Sequence, residues 1–389
     1  MSRKTRVLVD GTSNLDTSGA RGIGRLLRDL LHALADTADE HEDLEIEALV
    51  DLSPLGRART THDLRAAAAE LHERRGTLEE RVGPRRQRFL PWAARGHDVV
   101  HLLEPRGVPW WSPAKMVLTL HDLVPLRYPR QYIGGSPLAA ASRRVREGLR
   151  ARRVEQVVAI SARTRTDLEA LLRLDPRRIT VVPNGIDLGR WSSAPREDDA
   201  ARASRLGLER PFALYVGYCD HRKNIAVLLD ALARARAEVD LELAWVGKLL
   251  PEDVARMQQE IARRGLGGRV HLLGYVDDDD LAALYRRAVA HPFLSRLEGF
   301  GLSVVEALAS GCPVLVARDS GSDEVAGDAA AACLDPDDVA GAADCLVTLA
   351  GESPAQRAVR ATTGLARARE FDRVRMARGY VDVYRAAAR

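Results

Sequence analysis

Two acids, Glu298 and Glu306, bracket the segment Gly299-Phe300-Gly301-Leu302-Ser303. The run 288–294 reads as a strand, and a helical pattern starts at Leu302 and ends near Ser310-Gly311. Glu298 is therefore expected on the turn at a strand's carboxyl end, where open α/β sheets gather their ligands. Gly299 and Gly301 permit a tight turn and close approach of backbone to a ligand. The first amides of the helix beginning at Leu302 and Ser303, with its positive dipole end, suit a phosphate. Glu306, about one turn inside, suits hydrogen bonds from sugar hydroxyls. The plainer account is one capping acid and one solvated acid.

Cationic and titratable partners are expected on neighbouring strand ends. Of 58 basic residues only four are lysines: Lys4, Lys115, Lys223 and Lys248. That bias fits a GC-rich genome, but a lysine retained against it marks a place where a compact charge suits better than arginine's fork. Lys223 follows Arg222 at a predicted helix start after the strand 211–217, and Lys248 directly follows the strand 241–247. His121 and Asp122 end the predicted strand 115–122. Gly22 and Gly24, in Ser18-Gly19-Ala20-Arg21-Gly22-Ile23-Gly24-Arg25, open the first predicted helix. This glycine run lacks a third glycine, having Leu27 there, and no acid ends the second strand, so a nicotinamide-dinucleotide fingerprint is weak. Asp277–Asp280 invites a metal reading, but four acids before the helical pattern 281–285 are better explained as a cap and dipole partners. No metal site is expected.

These residues need a scaffold of alternating strands and helices. Near-continuous apolar runs at 6–10, 44–50, 98–104, 115–122, 156–161 and 178–184 alternate with amphipathic stretches, as in parallel strands buried on both faces. The alternation restarts at 211–217, 241–247, 269–275, 288–294, 313–319 and 330–334. The expected organisation is an α/β domain at 1–190, a linker at 191–210, a second α/β domain at 211–370 and a bracing helix at 371–389, with a ligand cleft between the domains. Residues 57–88 read as a plain surface helix or an excursion near a second substrate. Arg143–Arg153 holds six arginines, which suit an anionic lipid surface, a phosphorylated acceptor, or a solvated helix face with Val145 and Leu149 inward. Four cysteines without a C-x-x-C pair argue against a disulfide scaffold or a structural zinc site. No apolar run has membrane-spanning length, so a cytoplasmic protein is expected, with peripheral membrane contact as an option and no nucleic-acid partner.

In combination, Glu298-x7-Glu306 around Gly-Phe-Gly, the segment Tyr215–Asn224 ending Arg-Lys-Asn, Gly-Ile-Gly-Arg at 22–25 and Val182-Pro183-Asn184-Gly185-Ile186-Asp187 resemble the retaining glycosyltransferases of the GT-B fold, family four. The resemblance covers nearly the whole chain and implies two doubly wound Rossmann-like domains facing across a cleft. It implies Glu298 against the donor sugar, Glu306 on the nucleotide ribose, Lys223 on the diphosphate and His121 beside the sugar. It further places Gly22 and Gly24 on the diphosphate and acceptor side, and Tyr275 and Val276 beside the nucleobase. Many relatives carry an arginine just after the glycine of the Lys223 loop. Tyr218 and Cys219 stand there in this chain, with Arg222 as the substitute. The implied reaction moves a sugar, with GDP-mannose favoured, from a nucleotide-diphosphate co-substrate to a glycan, lipid-linked or small-metabolite acceptor, without metal or other cofactor. A nucleotide-sugar epimerase and a non-catalytic scaffold of the same fold are the alternatives.

Overall fold

The computed structural model describes residues 3–12, 22–52, 58–73 and 82–389. The chain divides into two compact units, Met1–Ile186 with Phe371–Arg389, and Asp187–Glu370. In the first unit, short Val- and Leu-rich runs form β1 (Thr5–Asp10), β2 (Leu44–Leu52), β3 (Ala58–Thr61), β4 (Val99–Leu102), β5 (Lys115–Leu120), β6 (Gln156–Ala159) and β7 (Ile179–Val181). They make one sheet in the order β3-β2-β1-β4-β5-β6-β7, parallel except for the β2–β3 pair. Val7 lies level with Ile46 on one side and Val99 on the other, at the centre of the buried core. Strand order reverses between β1 and β4, which opens a crevice at their carboxyl ends.

Helices cover the sheet because their apolar positions recur every three or four residues. In Gly22–Asp36 these are Leu26, Leu27, Leu30, Leu31 and Leu34, all buried. The stretch 57–88 corrects the expectation of a plain surface helix. Part of it forms the antiparallel edge strand β3, and the helix Leu64–Glu73 buries Leu64, Ala67, Ala68 and Leu71 against the helix Gly22–Asp36. Residues 74–81 of that stretch lie outside the described residues.

The terminal helix Arg373–Ala388 is capped by Asp372, whose carboxylate accepts from Val374 N–H at 2.7 Å. It lays Met376, Tyr380, Val383, Tyr384 and Ala387 on the first unit's core. Chain crossing at its start depends on Gly185, where a Cβ would collide with the backbone of Arg373. Ile186 bridges to the segment 371–373 at that point, its N–H donating to Phe371 O at 2.9 Å and its carbonyl accepting from Arg373 N–H at 3.0 Å.

The second unit repeats the plan with β8 (Phe212–Val216), β9 (Glu242–Val246), β10 (Val270–Gly274), β11 (His291–Phe293), β12 (Val314–Ala317) and β13 (Ala332–Leu334). Two parallel triplets, β10-β9-β8 and β11-β12-β13, are joined where Leu214 N–H donates to Ala290 O and Val289 N–H to Phe212 O, both at 2.8 Å. Order therefore reverses between β8 and β11. Residues 191–210, expected as a linker, are part of this unit. Trp191 is buried edge-on against Tyr285 at 5.9 Å, and the short helix Asp199–Arg205 is tied down by the Asp199–Arg286 ion pair at 2.6 Å. Charge density that suggests a solvated linker instead pairs internally. No helix among the described residues is long and apolar enough to cross a membrane, and all four cysteines are free.

Candidate functional site

The switch point between β8 and β11 gathers the acid and the lysine. After β8, Asp220 caps a short helical turn, His221–Lys223, by accepting from Arg222 N–H at 3.1 Å. Asn224 follows in the left-handed region, φ 57°, and its amide donates to Leu294 O at 3.2 Å and to Pro336 O. The loop from β8 is thereby fastened to the loop leaving β11. There Glu298 is buried, with Lys223 Nζ 2.8 Å from one carboxylate oxygen and Arg222 on the other. Lys223 also stands over the ring of Phe293, 4.5 Å from its centroid. Burial alone would raise the Glu298 carboxyl's pKa, but the Arg222 and Lys223 charges outweigh it and hold it at about 2. Burial pushes the Lys223 ammonium down, with Glu298 pulling back and Arg222 adding to the depression. The result is a compact ionic cluster at a strand end: Lys223 and Arg222 share the Glu298 carboxylate, and Arg222 Nε also lies 3.6 Å from the Asp220 carboxylate.

Backbone geometry in this cluster relies on glycine. Glu298 N–H donates to Ser320 O, and a Cβ on Gly321, at φ 89°, would collide with Glu298 O. Gly301, at φ 121°, caps the helix Leu302–Ala309, whose Val304 N–H returns to Gly301 O at 2.9 Å. Gly299, Phe300, Leu302 and Ser303 therefore form the turn and first helical positions directly after Glu298. A column of rings supports the cluster from below. Tyr285 meets His291 edge-on at 5.6 Å, and His291 stacks on Phe293 at 5.4 Å. His291 donates from Nδ1 to Leu214 O at 2.7 Å and lies 3.2 Å from Ser303 Oγ, and burial lowers its pKa to about 4, so the ring is neutral. Its free lone pair accepts from Ser303. Glu306 is buried and takes the Tyr285 hydroxyl at 3.3 Å, so it belongs to the base of this column.

Lys248 and Tyr275 are exposed beyond the ends of β9 and β10, one and two strands from the switch point, while Val276 is buried. Three of the acids 277–280 are tightly engaged, and the exposed Asp279 lies 3.7 Å from Arg196. Asp277 caps the helix Asp278–Arg287 by accepting from Asp280 N–H at 2.7 Å, Asp278 pairs with Arg190 at 2.8 Å, and Asp280 pairs with Arg202 at 2.6 Å and Arg205 at 3.0 Å.

In the first unit, Gly22 and the buried Gly24 start the helix Gly22–Asp36, and residues 18–21 of their motif lie outside the described residues. His121 is half-buried after β5, and its Nε2 donates to Leu103 O at 2.9 Å. Burial lowers its pKa, against the pull of Asp122, so the ring is neutral. Asp122 is exposed and accepts from Val124 N–H at 3.1 Å, a turn cap. Elsewhere in this unit, Glu45, Glu47 and His62 lie close enough to share an ion, but Arg6 already holds both acids, at 3.4 and 2.9 Å.

Two family profiles match this chain: Glycosyltransferase Family 4 over residues 20–190 and Glycosyl transferases group 1 over residues 197–360. Residues 197–360 belong to the group 1 glycosyl transferases and residues 20–190 to Glycosyltransferase Family 4. The chain's fold is the GT-B fold, shared with sucrose-phosphate synthase from Thermosynechococcus elongatus (TM-score 0.72, 20% identity, 99% of both chains). The Anabaena HepE structure with UDP-glucose agrees as closely (TM-score 0.73, 19% identity, 98% of this chain and 99% of that one). Among curated relatives, the O-antigen chain mannosyltransferase B of Escherichia coli is 28% identical over 74% of both chains. An MMP alpha-(1->4)-mannosyltransferase of Mycolicibacterium hassiacum is 33% identical over 46% of this chain, which spans only 40% of that relative's length.

The second unit of this glycosyltransferase thus brings Glu298, Lys223, Arg222 and the 299–303 turn into one cluster. Lys248 and Tyr275 stand apart from it, and Gly22, Gly24, His121 and Asp122 belong to the other unit. Sequence reasoning missed the residues that hold the cluster in place: Asn224, Ser320, Gly321 and the ring column. Gly321 had a readable signal, since it sits in Asp319-Ser320-Gly321-Ser322 directly after a predicted strand, on the ligand edge. In the first unit it missed Asp10, buried at the end of β1 with Thr12 N–H donating to it at 3.0 Å.

Proposed function

We propose that this chain transfers a sugar from a nucleotide-diphosphate sugar to a hydroxyl of a glycan or small-molecule acceptor, with retention and without a metal. The observation that carries this reading is the Lys223–Glu298–Arg222 cluster at the switch point, with Glu298 buried and both cations half-buried, one turn before the helix start at Leu302. Charge on the departing diphosphate is then met by fixed cations and helix amides, preorganised donors of the kind that contribute most to such steps. The bond from the sugar's anomeric carbon to the phosphate oxygen breaks, and the acceptor oxygen bonds to that carbon on the same face. The acceptor's proton passes to the leaving phosphate. Glu298 holds the sugar and the cations in register, and Glu306 and Ser303 serve the ribose. Gly22, Gly24 and neutral His121 are the first-unit residues of this reading.

A mannosyl donor is favoured by the names of the two mannosyltransferase relatives, and guanine as its base is the expectation that the sequence resemblance carries. Support for nucleotide-sugar use in general comes from the HepE neighbour, solved with UDP-glucose. The test is a titration of GDP, UDP, ADP and dTDP against the protein in EDTA, followed by product analysis with the matching sugar nucleotide. Micromolar binding of one diphosphate and an α-linked product from an α-linked donor support the proposal. No binding, or conversion of the donor's sugar without an acceptor, overturns it.

A further inference from the structure

The helix Pro137–Arg152 presents an unusual surface. Ser136 caps it by accepting from Ala139 N–H at 3.3 Å, and its packed face is made of small residues, Gly148 and Ala151. Close seating on that face turns the branched residues outward, which corrects the expectation that Val145 and Leu149 point inward. Leu138, Val145 and Leu149 are 83%, 59% and 47% exposed. Their spacing of seven and four places them on one line along the helix.

The same segment concentrates charge. Residues 137–153 carry six arginines and one glutamate, a net +5, whereas the whole chain carries +3, so the remainder is net negative. Arg144 and Arg146 are exposed on either side of the apolar line. At the helix's end, the Arg153 guanidinium lies 3.9 Å over the ring of Trp110, itself 76% exposed, and Trp111 beside it is also exposed.

A soluble surface has no use for three aligned branched side chains flanked by arginine and two tryptophans, whereas a bilayer surface uses all of them. Apolar side chains enter the acyl boundary, arginines meet anionic headgroups, and tryptophan rings sit at the interface. We propose that the outer face of the helix Pro137–Arg152, with Trp110 and Trp111, docks this protein on an anionic lipid bilayer. A neutral or acidic protein partner would leave the apolar line or the tryptophans unexplained, and a second copy of this chain would set +5 against +5. The proposal stands on these residues alone and does not depend on the reaction assigned above.

Co-sedimentation of the full chain with vesicles tests it. Phosphatidylcholine vesicles containing about a third phosphatidylglycerol are expected to bind the protein at least ~10-fold more tightly than phosphatidylcholine alone, with binding weakened in high salt. The triple variant Leu138→Gln/Val145→Gln/Leu149→Gln, which touches no core side chain, is expected to lose roughly tenfold or more with its circular dichroism unchanged. Arg144→Gln/Arg146→Gln is expected to lose the preference for anionic vesicles, and a blue shift of tryptophan fluorescence on binding is expected to shrink in Trp110→Ala. Absence of binding to anionic vesicles, or unaltered binding by the triple variant, overturns the proposal. So does a wild-type dimer that the triple variant converts to monomer while vesicles stay unbound.

Discussion

Two sheets that reverse strand order at a like place, between β1 and β4 and between β8 and β11, end in chemically different edges. At the switch point of the second unit, Lys223 and Arg222 are half-buried on the buried Glu298, and Arg222 also faces Asp220 at 3.6 Å. At the corresponding edge of the first unit stand a buried acid, Asp10, and a neutral imidazole, His121, with no lysine following β1, β4 or β5. Among the described residues, one edge thus carries a lysine and an arginine on a shared carboxylate, and the other an acid and a neutral imidazole. The difference lies in loop residues, not in strands, as expected where function is grafted on a common scaffold.

The sharpest way to break this comparison is to remove the second unit's cation. Lys223→Ala is expected to lower turnover by about 10²–10³ and to weaken nucleoside-diphosphate binding in parallel. Lys223→Arg is not expected to rescue it, because a planar guanidinium cannot occupy the compact place over Phe293. His121→Ala is expected to leave diphosphate affinity unchanged. Calorimetric titration of both variants decides: equal losses would mean that the two edges do not differ in kind.

Removing the acid tests the same cluster through stability. Glu298→Gln leaves Arg222 with Asp220 but takes the carboxylate from the half-buried Lys223, which costs about 3 kcal/mol in denaturant unfolding. Nucleoside diphosphate, supplying the missing anion, is expected to restore much of the loss. A variant as stable as the parent would show that the cluster is more solvated than its burial suggests.

Acid titration separates the edges further. Glu298 has its pKa lowered from 4.5 to about 2, so its stabilisation is complete above the ordinary carboxylate range and is lost as pH falls toward 2. In the first unit His101 lies between Tyr384 OH and Thr119 Oγ, each 2.8 Å away, and burial lowers its pKa to about 3. Between pH 6.5 and 3 the unfolded chain binds a proton there that the folded unit refuses, so stability falls with falling pH. His291 adds the same trend in the second unit down to about 4. His101→Gln is expected to flatten the slope between pH 6 and 3 in urea unfolding, and Glu298→Gln only the slope below about 4.5. Interchanged windows would refute the assignment.

How legible these edges were follows from what each residue depends on. Strand positions were readable because parallel strands buried on both faces must be near-continuously apolar, and β3 was missed because an exposed antiparallel edge strand, Ala58-Arg59-Thr60-Thr61, carries no such run. Glu298 and Lys223 were readable from placement at strand ends. Their mutual ion pair was not, since it joins loops 75 residues apart and depends on Asn224 and Gly321 to bring them together. Glu306 could be placed one turn into its helix, but its burial beneath Tyr285 follows from tertiary packing alone. The 191–210 stretch misled because charge density reads as solvation, and only the fold shows Asp199 facing Arg286.

The smallest expected effect bears on whether the second edge needs help from a metal. Four consecutive acids at 277–280 could hold a divalent cation that would carry the diphosphate's charge and make the Lys223 cluster secondary. Three carboxylates are already committed, Asp277 to the helix N-terminus, Asp278 to Arg190, and Asp280 to Arg202 and Arg205, while the exposed Asp279 lies 3.7 Å from Arg196. An ion would have to displace arginines and give up a cap. Asp277→Ala is therefore expected to cost about 1 kcal/mol of stability, the usual value of a lost cap, and to leave transfer unchanged. Transfer by the parent protein is expected to survive EDTA. Were activity to vanish with chelation and the Asp277 variant to fail in the same way, the Lys223 edge would be a metal edge and its contrast with the first unit would rest on the wrong residues.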